Sequence, residues 1–337
     1  MTLKTSDLGA PDMALPIVHE LLQMHTYARP EGSVTQSIFC DRYIKPLPGA
    51  YLDAANNWVV KVGESRVLWS CHTDTVHTKD GRTKLTYGGA ILSLSTKEET
   101  ANCLGADCTV GVWLMRNMIL RGVPGLYVFH AGEECGGIGS TYIAQKTPEL
   151  LEGIDFAIAL DRKGETSVVT HQWGGRCASD AFARSFAAQF DIPFEPDTGG
   201  TFTDTANYTH LVAECTNISV GYYGQHTKEE ILDVGFAVTL LEQICKIDES
   251  KLVVQRDPKA PVSYGRHAYD DWWTRPQSRF SRQADVSIFE TNKDFMEQVT
   301  DIAFECPDVL EMIFQDYGID ETVLREYVSR YNEKMVN

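Results

Sequence analysis

The chain has 337 residues, a length that suits roughly two domains or one large α/β domain with an appendage. Its formal charge of -17 argues against a general binder of nucleic acid or anionic membrane, since both need clustered positive charge. No stretch approaches the ~18 uninterrupted apolar residues of a membrane span, and nothing near Met1 resembles a basic segment followed by a long apolar run, so a cytoplasmic protein is expected.

Pro16 to Met24 carries the spacing of a first amphipathic helix, and Tyr43 to Val62 reads as two strands joined near Asn56-Asn57. Arg66-Val-Leu-Trp-Ser-Cys71 is a short apolar run leading into His72-Thr-Asp74. His77 to Asn102 is a polar, glycine-containing excursion with an alternating stretch at Ala90 to Ser95, a hairpin or loop expected to shape access to the site. Asp107 is expected to open a helix through about Arg121, with Val110, Trp113, Leu114 and Met118 on one face and Gly122 as its stop. Leu126 to Phe129 leads into Gly132-Glu-Glu134, and Cys135 to Ser140 then turns tightly into another helix. Phe156 to Leu160 is a further apolar run and ends at Asp161.

Ala178 to Phe190 predicts another amphipathic helix, and Asp197 to Asp204 is turn-rich, a second expected wall of the substrate site. Thr216 to Tyr223 reads as the strand before His226, and Asp233 as the cap of a helix carrying Phe236, Leu240, Leu241 and Ile244. Short apolar runs alternating with helical patterns predict an α/β fold with a mostly parallel sheet, in which function collects at the carboxyl ends of the strands.

Beyond about residue 250 the character changes. From about Gln255 to Ala284, Pro258, Pro261 and Pro276, six basic residues and Trp272-Trp273 lack a clear period, so residues 251–285 read as an irregular connector after a catalytic domain over 1–250. Asn292 to Phe304, Asp308 to Asp316 and Asp320 to Glu333 predict a small C-terminal helical appendage over 286–337. Val323, Leu324, Tyr327, Val328 and Tyr331 form an apolar stripe there, for a core of its own or for an oligomer contact. The nine cysteines contain no CxxC pair and read as reduced thiols. Cys71, Cys108 and Cys135 adjoin candidate ligands but are expected to be small buried residues rather than thiolates.

His72, Asp107, Glu134, Asp161 and His226 are the candidate metal ligands, four of them close behind an apolar run. Imidazole and carboxylate donors without thiolate suit zinc, cobalt or manganese, and a paired site needs one shared carboxylate, here Asp107. Glu133 beside Glu134 is then free to act as general base on a metal-activated water and to hand the proton to a leaving amine. Asp74, two residues after His72, is placed to accept the imidazole's other N–H and fix its tautomer. Adjacent glutamates are ordinarily a solvated pair, but this pair follows a buried strand and precedes glycines, a poor setting for one. The remaining histidines read as structural or surface residues, His77 and His171 being the nearest exceptions.

His72-Thr-Asp74, Leu104-Gly-Ala-Asp107, Gly132-Glu-Glu-Cys-Gly-Gly-Ile-Gly-Ser140, Ala159-Leu-Asp161 and Gln225-His-Thr227 together resemble the ordered motifs of the co-catalytic dizinc exopeptidases. The resemblance covers about residues 15 to 250. It implies a phosphorylase/hydrolase-like three-layer α/β/α sandwich with a mixed sheet. It also implies one metal completed by His72 and Asp161, a second completed by Glu134 and His226, Asp107 between them, Glu133 as base and Asp74 as orienter. About 65 residues separate Asp161 from His226 and about 35 separate His72 from Asp107, too few for the domains that some branches insert there. The compact single-domain aminopeptidases are therefore the nearest match. The expected activity is hydrolysis of short peptides or amino-acid amides. An N-acyl amino acid deacylase is the rival, with Arg162 or Arg176 as carboxylate anchor, and a non-enzymatic binding protein on the same fold is the reading from another class.

Overall fold

Apolar runs too short for helices become four parallel strands, Val67–His72, Gly125–His130, Phe156–Arg162 and Glu214–Ser219, at the centre of an eight-stranded mixed sheet. The computed structural model describes residues 14–172 and 175–259, all within the first of two compact units, residues 1–264. Across the sheet the four run in the order Glu214–Ser219, Phe156–Arg162, Val67–His72, Gly125–His130. Trp58–Val62 and Tyr51–Leu52 extend one edge antiparallel, while Ser167–Val169 and Glu195–Asp197 extend the other. Almost every residue of the central four is buried, as parallel strands covered on both faces require.

Among the described residues six α-helices flank the sheets: α1 (Ala14–Met24), α2 (Val34–Tyr43), α3 (Ala106–Leu120), α4 (Ile138–Lys146), α5 (Asp180–Ala187) and α6 (Val234–Ile244). The period of two along the strands divides the apolar side chains between two layers. Trp69, Cys71, Tyr127, Phe129, Ile158 and Leu160 enter a core shared with α1, α3 and α6. Leu68, Val128, Ala157 and Cys215 enter a second core with Ile143 and Ala144 of α4. This is the expected α/β/α sandwich.

From the His72 strand the chain crosses by α3 to the Gly125–His130 strand on one side, then by α4 to the Phe156–Arg162 strand on the other. Strand order thus reverses at the His72 strand, which opens a crevice beyond the carboxyl ends there. Helix α3 reaches the sheet only because residue 111 is glycine: a Cβ at Gly111 would stand 2.3 Å from the Leu160 carbonyl oxygen. Gly111→Val is expected to push the helix off the sheet and cost about 3 kcal/mol, read as a lower midpoint of denaturation. An unchanged midpoint would show that the helix shifts freely.

Two sequence expectations change. Tyr43 closes helix α2, capped by Ser33 accepting the Gln36 N–H, so the first of the two strands expected over 43–62 shrinks to Tyr51–Leu52. Helix α2 buries Thr35 and Gln36 beside Phe39, Cys40 and Tyr43, and a half-polar buried face gives no apolar period to read. The strand expected over 216–223 divides at Gly221 (φ +96°). Tyr222–Tyr223 joins a four-stranded sheet with Ile231–Asp233 and the hairpin Leu85–Gly88/Ile91–Leu94.

Asp233 caps α6 as expected, accepting the Phe236 N–H at 2.8 Å. After α6 the chain stays tied to the domain: Gln255 and Arg256 N–H both donate to Glu214, and the Arg256 guanidinium to the Ala213 carbonyl. The rest of the expected connector from residue 260, and the C-terminal helices, lie outside the described residues. Among those described, no helix is long and apolar enough to cross a membrane.

Candidate metal centre

The five candidate ligands come from five different segments and meet in the crevice. His72 ends its strand, Asp161 sits one residue before the end of the next strand, and Glu133 and Glu134 occupy the turn after His130. Asp107 does not open a regular helix as expected. Gly105 is left-handed (φ +73°), Asp107 and Cys108 have non-helical backbone angles, and the helix becomes regular only beyond them. That bend lets the Asp107 carboxylate face the strand ends, and the buried Glu230 fixes it by accepting the N–H groups of Gly105 (2.8 Å) and Asp107 (3.1 Å). His226 (φ +65°) projects from the loop between the two short strands of the small sheet, its side chain 47% exposed.

The two oxygens of Asp107 face different partners. Its Oδ1 lies 3.0 Å from His72 Nε2, which is also 3.3 Å from Asp161 Oδ1. Its Oδ2 lies 3.3 Å from His226 Nε2, which is also 3.2 Å from Glu134 Oε1. Two ligand atoms bound tetrahedrally at ~2.0–2.1 Å are about 3.3–3.4 Å apart, so these separations fit donors arranged around two cations. Glu134 Oε1 and Asp161 Oδ1 are buried and receive no hydrogen bond, the state of acceptors that a cation satisfies. Both the donor set and the orphaned oxygens therefore suit a pair of divalent metals.

The electrostatics agree. Burial opposes its charge, yet His226 and His72 hold the Asp107 carboxyl well below the usual range. Its neighbours go the other way: burial and the Asp107 charge push Glu134 and Glu230 each up to about 7 and also raise Asp161. Burial raises Glu133 well above the ordinary range, with Asp161, Asp204 and Glu134 adding to the rise against His72. The Asp107 and Glu134 carboxylates beside it lift His226 to about 10. More buried carboxylates than cationic partners is an unfavourable arrangement that bound cations relieve.

Asp74 stands beside the His72 imidazole and also holds the next turn. The closest acceptor to His72 Nδ1 is the Asp74 backbone carbonyl (3.1 Å), with the carboxylate at 3.4 Å. The carboxylate also accepts the N–H groups of Glu133 (3.2 Å) and Glu134 (3.1 Å). Glu31 accepts the preceding Gly132 N–H at 3.1 Å, so two carboxylates hold three consecutive amides of that turn. Arg29, fully buried, donates to the Thr73 carbonyl and Thr109 Oγ1 and so ties the His72 strand end to the start of α3. Asp161 is held by Thr203 Oγ1, which donates to Oδ2 (2.7 Å), and by Tyr222, which donates to its carbonyl.

Cys108 lies near His72 and Asp161, but burial raises its thiol well above the usual range and Sγ donates to the Leu160 carbonyl. His77 meets Thr75 and His171 meets Thr170, both outside the ligand cluster.

A small cleft of about 100 Å³ opens over the ligands. Gly200, Thr201 and Phe202 of the turn-rich segment form part of its wall, as expected, whereas no residue of 77–102 lines it. That excursion instead builds the small sheet beneath the His226 loop. Arg162, one of the two expected anchor candidates, lies in the polar wall with Lys163, Asn217 and Gln225, which sequence spacing did not single out. Arg176 is absent from it and pairs with Asp180 on the surface.

Neither a family model nor a curated protein matches the sequence. Solved structures do match the fold. The tripeptidase of Staphylococcus aureus superposes with a TM-score of 0.55 at 15% identity, covering 70% of this chain and 97% of its own. The aminopeptidase PepT of Bacillus cereus gives 0.53 at 12% identity, over 68% and 96%. An aminopeptidase of the archaeon Desulfurococcus kamchatkensis gives 0.50 at 14% identity, over 71% and 97%. The chain therefore has the α/β fold of these peptidases, the fold that the motif order implied. The described residues between His72 and Asp107, and between Asp161 and His226, build strands, turns, helix α5 and one short 3-10 helix (Asp204–Tyr208).

Proposed function

We propose that the protein is a metal-dependent exopeptidase, an aminopeptidase of short peptides. One observation supports this most: each oxygen of Asp107 faces its own imidazole–carboxylate pair. His72 and Asp161 would hold one divalent cation, Glu134 and His226 the other, and Asp107 both, with zinc best suited to the donor set and cobalt or manganese as substitutes. Such a pair, when bound, polarises a peptide carbonyl and makes water acidic near neutral pH.

The chain's own groups do the rest. Glu133 lies with Glu134 and His72 around one point and is not needed as a ligand, so its carboxylate takes the proton of the attacking water and delivers it to the leaving amine nitrogen. Asp74 and Glu31 keep that turn in place through its amides.

Metal analysis of untagged protein, joined to a panel of free and N-acetylated peptides, tests the reading. Two metals per chain and release of N-terminal residues from the free peptides only are expected. Fewer than two metals after zinc loading, or cleavage of the acetylated set alone, overturns it.

A further inference from the structure

Resting on the exopeptidase reading, we propose that Lys163 anchors the C-terminal carboxylate of the substrate, which makes di- and tripeptides with free C termini the preferred substrates. The acidic residues lining the cleft are Asp107, Glu133, Glu134 and Asp161, all of them in the metal centre, and the only fixed cations there among the described residues are Arg162 and Lys163. Arg162 is committed: its Nη2 lies 3.2 Å from Asp197 Oδ2 and donates to the Gly199 carbonyl at 2.9 Å. Its guanidinium holds the turn-rich wall in place. Lys163 has no ion-pair or hydrogen-bond partner for its ammonium among the described residues, and it is exposed.

The backbone beneath Lys163 is fixed although its side chain is free. Ser219 Oγ donates to the Lys163 carbonyl (2.8 Å), and Gly164 N–H donates to the Tyr222 carbonyl (2.8 Å). Tyr222 in turn donates to the carbonyl of Asp161. The lysine therefore stands at a set distance from a metal-centre residue. Two residues along an extended chain cover roughly 7 Å, and the one or two residues after the scissile bond of a di- or tripeptide span about 3.5–7 Å. A flexible four-carbon stem spans the remaining difference. Longer peptides would carry their carboxylate past this point. The site must also accept an anionic group beside four carboxylates, which a lone ammonium on the wall makes favourable.

The test compares each peptide as free acid and as C-terminal amide, using di- and tripeptides of one sequence that the zinc-loaded protein cleaves. The wild type should favour the free acid by about tenfold in kcat/KM, mainly through KM, for an ion pair in a partly open cleft. Lys163→Met should abolish that preference at unchanged metal content, and Lys163→Glu should invert it. Equal use of acid and amide by the wild type overturns the anchor, as does an equal fall for both in Lys163→Met, which would mean that the lysine only balances the acidic centre. Cleavage of neither form overturns the exopeptidase reading, and the anchor with it.

Discussion

Glu133→Gln is expected to lower kcat on a saturating short peptide by about a thousandfold, within the range that one positioned proton-transfer group contributes, while two metals per chain remain bound. The amide matches the carboxylate in size and keeps the turn, because the hydrogen bonds that fix the turn come from backbone N–H groups to Asp74 and Glu31 rather than from the Glu133 side chain. What it loses is the ability to take a proton. Glu134 cannot substitute, since its Oε1 is directed to His226 at 3.2 Å in the half of the centre that also holds Asp107 Oδ2. Kinetics at saturating peptide, paired with elemental analysis of the same preparation, separates the two effects. Wild-type turnover would remove Glu133 from the role of base, and a loss of metal equal to the loss of turnover would make it a ligand.

Four of the five proposed metal ligands were legible because each ends or follows a short apolar run, and such runs in an α/β pattern have one place to go. His72 and Asp161 lie at parallel strand ends because those strands are too apolar to be anywhere but the middle of the sheet. The residues that hold the ligands in place were not legible. Glu230 reaches Asp107 from the far side of the chain, Glu31 reaches the Gly132 turn, and Thr203 reaches Asp161. A polar side chain that is buried by a distant partner leaves no period and no motif in its own neighbourhood, so only the folded chain brings it into view. Asp74 shows the same limit at short range: its spacing from His72 correctly put it beside the imidazole, but its carboxylate is occupied by amides about 60 residues later in the chain. Helix α2 was missed for a related reason, because its buried face is made partly of Thr35 and Gln36.

Asp107→Ala is expected to reduce binding from two metals to one or none and to abolish the stabilisation that zinc gives the wild type. A ligand bound only by the folded state stabilises by RT ln(1 + [L]/Kd), about 4 kcal/mol at a thousandfold excess over Kd, so zinc should raise the wild-type Tm by several degrees. The variant loses the oxygens that face both imidazoles, at 3.0 Å from His72 and 3.3 Å from His226. Each remaining half then has one imidazole and one carboxylate, too few donors for a tight site. The fold itself should survive, since Glu230 grips this bend through the backbone N–H groups of residues 105 and 107, which alanine retains. Calorimetry with and without zinc therefore reads the bridge apart from general stability. If the variant keeps the full zinc-dependent rise, Asp107 does not join the two halves, and the centre is two independent sites or a single one.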